Sequence, residues 1–314
     1  MEKKTILFVA LIVFNNLGGQ DSIHIRRALV FGHRGASFHA PENTLAAIKK
    51  AFSLDADGVE VDIRMTADKK IIVMHDETLK RVATYTSELA EKTGMSKETF
   101  ERIINTPVDQ LHYADIQHIN IGLWNGEQWT EETTPTLSEV LDIILLPPQK
   151  EKKIQVEIKE DNITVIQELK KVLHKYPQKA VSESIIFIGF DLEMMQRIKK
   201  TIPYCAALYI RYQKQVPTIG DIHQSINQTI HAGLDGIDFE ANPSLVTKDI
   251  IDTVHQKEKA IGIWVYPEQD TCQNLQYFKD LGVDFITTNL PPEVVTELIV
   301  AKLKSYLNLL QETI

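Results

Sequence analysis

Val59-Glu60-Val61-Asp62-Ile63 is a β-branched run interrupted by two carboxylates. β-Branched residues suit strands, and side chains two apart on a strand share a face. The run therefore predicts a strand over 59–63 with Glu60 and Asp62 on one face and valine and isoleucine on the other. The same pattern recurs outward from it. An apolar run over 29–32 leads into Gly32-His33-Arg34-Gly35. Another over 71–74 ends in Met74-His75-Asp76, and one over 154–158 carries Glu157 and runs into Lys159. Three carboxylates gathered at strand ends repel one another unless a cation neutralises them. Two nearby histidines are able to move protons near neutral pH.

Strand-like runs alternate with helical patterns along the whole chain. Further strands are predicted over 185–188, 206–210, 236–239, 261–266 and 284–287. Helices fit 44–53, 137–145, 164–175, 192–201, 221–232, 248–257, 273–281 and 292–310. This alternation implies a parallel sheet with helices outside it. No shift of composition marks a second domain, so one α/β domain, a (β/α)8 TIM barrel, is expected over 28–314. Nine strand candidates compete for eight barrel positions. Only the turn-like Thr66-Ala67-Asp68-Lys69-Lys70 separates the second and third, which predicts a hairpin that returns His75 to Asp62. The segment 78–134 has no clear strand, a polar helix near 96–104 and the loop Gly122-Leu123-Trp124-Asn125-Gly126. Inserted after the third strand, it is expected to act as a lid over the mouth.

The chain has 314 residues, 43% of them hydrophobic and 25% charged, which is ordinary globular composition. A formal net charge of -9 without a basic stripe argues against nucleic acid as a partner. Lys3 and Lys4 precede an apolar run over 6–14 and small polar residues over 15–20. That order reads as a signal peptide over 1–19, and so as an exported, periplasmic or secreted protein. The run is too short to span a bilayer, which takes about 20 apolar residues, so no stable membrane insertion is expected. Cys205 and Cys272 read better as small buried residues than as a disulfide, although export would permit a pair.

Taken in order, these motifs resemble the glycerophosphodiester phosphodiesterase family. The resemblance rests on His33-Arg34-Gly35-Ala36 with Pro41-Glu42-Asn43-Thr44, then Glu60-x-Asp62, His75-Asp76, Glu157-x-Lys159 and Thr288-Asn289-x-Pro291. It implies a barrel of the phospholipase C-like type, one divalent metal and hydrolysis of glycerophosphodiesters to glycerol 3-phosphate and an alcohol. By motif position, Glu60, Asp62 and Glu157 are implied as metal ligands and His33 and His75 as the acid/base pair. Arg34 and Lys159 are implied as phosphate contacts. Trp264 reads as a wall of the substrate pocket. An all-carboxylate donor set suits Ca²⁺ or Mg²⁺ better than zinc.

Three departures from the family pattern bear on substrate fit: Trp264-Val265-Tyr266-Pro267 on a late strand, Gly189-Phe190 on the fifth, and Val82-Ala83-Thr84 after the His-Asp motif. Trp124 and Trp129 of the inserted segment have two readings that stay equally open: an aromatic face for a choline cation, or rings that pin the loop to the barrel. Two other readings stay open. One is a phospholipase-type phosphodiesterase acting on lysophospholipid or sphingolipid. The other is a catalytically silent exported binding protein.

Overall fold

A computed structural model of the chain describes residues 28–146 and 151–290. The expected signal segment and the expected helix over 292–310 lie outside these residues. Eight parallel strands close into a barrel: β1 (Leu29–Gly32), β2 (Gly58–Met65), β4 (Lys153–Ile158), β5 (Ile185–Gly189), β6 (Ala206–Arg211), β7 (Gly236–Glu240), β8 (Ala260–Trp264) and β9 (Phe285–Thr288). Closure comes from β1, which pairs with β9 on one side and with β2 on the other, Phe31 opposite Gly58. The ninth strand candidate, β3 (Ile71–Val73), is the expected hairpin arm. It runs antiparallel to β2 with Ile63 opposite Val73. Met74 N then donates to Asp62 O at 2.9 Å, which carries His75 to the side of Asp62.

The period of two along each strand separates two apolar layers. Val59, Val61, Ile63, Ile154, Val156, Ile237 and Ile261 face outward and join the core beneath the helices. Phe31, Ile186, Ile188, Leu208, Ile210 and Phe285 face inward and fill the barrel. Two glycines make room for the inner rings. A Cβ on Gly58 would lie 2.4 Å from the Phe31 ring, and one on Gly262 1.8 Å from the Phe285 ring. At the bottom of the barrel, aspartates beside strand starts accept backbone N–H groups of neighbouring strands. Asp57 takes Val30 N at 2.9 Å, Asp235 takes Ala207 N at 2.8 Å and Asp284 takes Ile261 N at 2.8 Å.

The predicted outer helices are present at Leu45–Ser53, Leu137–Leu145, Thr164–Leu173, Leu192–Thr201, Ile219–His231, Lys248–Gln256 and Cys272–Leu281. Thr44 caps the first of them by accepting Ala47 N at 3.1 Å. A further helix, Gln178–Ser184, follows Pro177 where the sequence pattern predicted none. Among the described residues no helix is long and apolar enough to cross a membrane.

The segment 78–134 is a packed lobe rather than a loop. It contains the helices Ser87–Thr93, Lys97–Ile104 and Tyr113–Ile116. Leu79, Leu89, Phe100, Ile103, Val108, Leu111, Ile116 and Ile119 form a core of their own with Ile72 and Met74 of the hairpin arm. Cys205 is a buried free thiol beneath the helices, its Sγ 4.0 Å from Val181 O.

Candidate active site

At the carboxyl ends of the strands a cavity of about 610 Å³ opens into the barrel. Glu60 lines it from β2 and Glu157 from β4, and Asp62, on the same face of β2 as Glu60, is the register partner of Glu157. One carboxylate oxygen from each lies within 4.8 Å of the other two, and all three residues are buried. Arg34 and Asn43 both sit at positive φ, 54° and 57°. Such conformations are strained for non-glycine residues and persist where the surroundings hold them. Here Arg34 N donates to Glu60 Oε2 at 3.0 Å. Asn43 Nδ2 donates to Asp62 Oδ2 at 2.8 Å, and Asp62 N donates back to Asn43 Oδ1 at 3.2 Å.

The charges within the triad are unequal. Burial works against ionisation of Asp62, but Lys159 at 3.2 Å and Arg34 at 3.4 Å outweigh it and hold this carboxyl well below its ordinary range. Burial and then the Asp62 charge push Glu157 up to about 7, and the same causes raise Glu60 well above its ordinary value. Glu60 Oε1 is buried without a hydrogen-bond partner. Asp62 Oδ1 and Glu157 Oε1 meet only the Lys159 ammonium, as ion pairs. An unpartnered buried oxygen on Glu60, beside two carboxylate oxygens that meet only a lysine ammonium, fits a cation. The donor set is all oxygen, as hard divalent cations prefer.

The two histidines flank the triad. His33 Nδ1 lies 2.8 Å from Asn289 Oδ1. Asn289 Nδ2 donates to Asp270 Oδ2 at 2.9 Å, which fixes the amide so that its oxygen accepts from His33 Nδ1–H. His33 Nε2 is left as the basic nitrogen, 3.9 Å from Glu60 Oε2. His75 Nδ1 lies 2.7 Å from Asp76 Oδ1, which likewise leaves its Nε2 for the cavity. Burial, followed by Arg34, lowers His33 to about 4. Burial also lowers His75, opposed by Asp62.

One wall of the cavity is aromatic. Phe190 stacks on Tyr212 with centroids 4.1 Å apart, and Trp264 meets both edge-on at 6.1 and 5.4 Å. Tyr266 adjoins Trp264 at 5.1 Å. Two of the three departures from the family pattern thus supply this wall.

All the site residues singled out in the sequence come together here: His33, Arg34, Glu60, His75, Glu157, Lys159 and Trp264 line the cavity, and Asp62 lies directly beneath Arg34 and Lys159 in ion-pair contact with both. No residue of 78–134 lines this cavity. Trp124 packs near Arg81 and donates its Nε1–H to Ile121 O at 2.8 Å, and Trp129 is partly buried inside the lobe. Trp124 stays 42% exposed beside Arg81, and the aromatic face of the cavity is built from strand ends. Asp238 was missed by the sequence reading. It is only 1% exposed, lines the cavity and leaves Oδ1 unpartnered. Asp238-Phe239-Glu240 repeats the alternation of Glu60-Val61-Asp62 and carried the same signal.

The sequence profile of the "Glycerophosphoryl diester phosphodiesterase family" matches residues 33–293. A "Glycerophosphodiester phosphodiesterase" of Caldanaerobacter subterraneus subsp. tengcongensis is 27% identical over 270 residues, 86% of this chain and 97% of that one. Among solved structures, an Oleispira antarctica phosphodiesterase in complex with the product sn-glycerol-3-phosphate aligns with TM-score 0.69 at 19% identity, covering 87% of this chain and 97% of that one. A glycerophosphodiester phosphodiesterase from Parabacteroides distasonis aligns with TM-score 0.66 at 17% identity, covering 88% and 98%. The two structures share the barrel fold.

Proposed function

The chain belongs to the glycerophosphoryl diester phosphodiesterase family, and from that premise we propose that it hydrolyses glycerophosphodiesters to glycerol 3-phosphate and an alcohol by histidine acid/base catalysis beside a divalent cation. The observation that carries this reading is the buried triad Glu60, Asp62 and Glu157 set between two histidines whose Nδ1 atoms are both engaged. Glu60, Asp62 and Glu157 would hold Ca²⁺ or Mg²⁺. Bound there, the cation neutralises phosphate charge and acts as a Lewis acid.

The protein's own groups supply the rest. Arg34 and Lys159 line the cavity beside the triad and attract the phosphate, Arg34 through a planar guanidinium suited to two oxygens at once. His33 rests on a neutral amide, which does nothing to favour an imidazolium, so its Nε2 takes the proton from the attacking oxygen nucleophile. His75 rests on the Asp76 carboxylate, which favours its charged form, so its Nε2–H protonates the leaving alkoxide. The aromatic wall keeps water from the ester's organic part. We propose further that 28–314 forms one such domain and that 1–19 directs export. The test of export is the N-terminal residue of the protein recovered outside the producing cell, expected after position 19.

The activity test is release of glycerol 3-phosphate from glycerophosphocholine with and without chelator. The reading expects turnover that chelation abolishes and Ca²⁺ or Mg²⁺ restores. Full activity in excess chelator would sink the metal assignment. Glycerophosphocholine binding without turnover would favour a silent binding protein.

A further inference from the structure

We propose that Arg81, in the lobe inserted after β3, is a positioning residue that locks the two halves of the site to one another. This inference rests on the proposed phosphodiesterase reading. Arg81 Nε donates to Asp76 Oδ2 at 2.6 Å. Its Nη1 and Nη2 donate to Glu42 Oε2 and Oε1 at 2.9 and 2.7 Å. All three guanidinium nitrogens are therefore committed, two of them in the parallel fork that fixes an arginine and a carboxylate in one geometry. The two acids use their remaining capacity on the site. Asp76 Oδ1 accepts from His75 Nδ1, and Glu42 Oε1 accepts from Arg34 Nη1 at 2.8 Å. The result is a continuous chain, His75–Asp76–Arg81–Glu42–Arg34, from the acid/base group to the phosphate-binding group.

Arg81 does not line the cavity, so it acts through the residues it holds. With Oδ2 of Asp76 occupied by Arg81, Oδ1 is left to His75, which sets both the imidazole tautomer and its orientation. With Glu42 gripped on both oxygens, the Arg34 guanidinium has a fixed anchor although its backbone is held at positive φ. The lobe in turn holds Arg81. The guanidinium carbon lies 5.9 Å from the Trp124 ring centroid. Trp124 is pinned to Ile121 O, and its loop is organised by buried Asn120, whose side chain bonds Gly122 N, Leu123 N, Trp129 O and Thr130 O. The lobe is thus a buttress for the site.

A purely structural role predicts different behaviour. The Arg81 side chain is 45% exposed, and ion pairs at such positions add little to stability. A positioning role therefore shows in turnover far more than in melting temperature. Lysine offers a single point charge and is unable to span both acids.

The test uses the full-length, metal-loaded protein with the variants Arg81→Ala and Arg81→Lys. Loss of an outer-shell orienting contact typically costs about 10–100-fold. Arg81→Ala is expected to lower kcat by that range with little change in melting temperature, and millimolar methylguanidinium is expected to restore part of it. Arg81→Lys should recover only part of the loss. Methylguanidinium should do nothing for His75→Ala. A second readout needs no turnover: ¹⁵N NMR of the metal-free protein should show His75 protonated at Nδ1 in the wild type, and this preference should weaken in Arg81→Ala. Wild-type kcat in Arg81→Ala overturns the proposal, as does an unchanged His75 tautomer. A large fall in melting temperature without guanidinium rescue overturns it too and assigns Arg81 to anchoring the lobe. If the wild type released no glycerol 3-phosphate, the phosphodiesterase reading would fail, while the NMR result would still decide the role of Arg81.

Discussion

His33 and Asn289, 256 positions apart in sequence, are joined side chain to side chain at 2.8 Å where β1 and β9 meet to close the barrel. The contact exists only because the last strand returns beside the first. Asp270 orients the amide through both its side-chain and backbone N–H, at 2.9 and 2.7 Å. Asn289→Ala removes the acceptor that sets the His33 ring and is expected to lower kcat about 10²-fold, the scale of a misplaced reacting group. The check is kcat on glycerophosphocholine together with a melting curve, which should stay close to wild type.

The three triad acids are unequal, and neutralising each should separate them in the metal-free protein. Glu60 and Glu157 are pushed up by burial and by Asp62, so their charges are unwelcome without a cation. Glu60→Gln and Glu157→Gln are expected to raise the melting temperature of the chelated protein and to abolish the rise on adding Ca²⁺ or Mg²⁺. Asp62→Asn breaks ion pairs to Lys159 and Arg34 and is expected to lower it. Scanning calorimetry with and without metal reads both effects. A normal metal-induced rise in Glu60→Gln would remove Glu60 from the ligand set.

Stability should depend on pH through Asp238, which burial and then Glu157 hold well above the ordinary carboxylate range. In the unfolded chain this carboxyl loses its proton near pH 4, whereas in the fold it keeps it to higher pH. The folded state thus binds more protons above pH 4, and stability falls as pH rises from there towards the folded value. Asp238→Asn removes this contribution. Its stability advantage over wild type should grow from pH 4 towards pH 8 in chelated protein, as measured by urea unfolding. A constant difference across that range would show that Asp238 is ionised in the fold.

Burial pushes the Cys205 thiol up to about 12, and the side chain is enclosed between β6 and the outer helices. The thiolate is the reactive form. Peptide-resolved alkylation at pH 8 should leave Cys205 unmodified in the folded protein and modify it once urea unfolds the chain. Rapid labelling of the native protein would contradict its placement in the core.

Trp264 and Trp129 should respond oppositely to truncation. Trp264→Ala removes the centre of the aromatic wall and is expected to lower kcat/KM with a small change in melting temperature. Trp129→Ala empties part of the lobe and should mainly lower the melting temperature. Paired kinetic and thermal measurements distinguish the two.

The sequence by itself determined the strands and the chemistry they carry. Alternation along Val59-Glu60-Val61-Asp62-Ile63 is a local property of a pleated chain, so it predicted the strand and the shared face of its two acids before any neighbour was known. The alternation of strands with amphipathic helices did the same for the barrel, and the Thr66–Lys70 turn for the hairpin that returns His75 to Asp62. The Asp238 signal was equally local and was overlooked because it lay outside the recognised motifs.

Only the tertiary structure decided what depends on groups far apart in the chain. Arg81 meeting Glu42 and Asp76, Asn289 meeting His33, and the aromatic wall gathered from Phe190, Tyr212, Trp264 and Tyr266 are each set by closure of the barrel or docking of the lobe. The two roles open to Trp124 and Trp129 were inseparable in the sequence for the same reason. An apolar ring in a long loop suits a lid or a core equally well, and only the fold places Trp129 partly buried in the lobe and Trp124 beside Arg81. Side-chain periodicity is written in neighbouring residues, whereas the partner of a charge or a ring depends on which distant segment the fold brings to it.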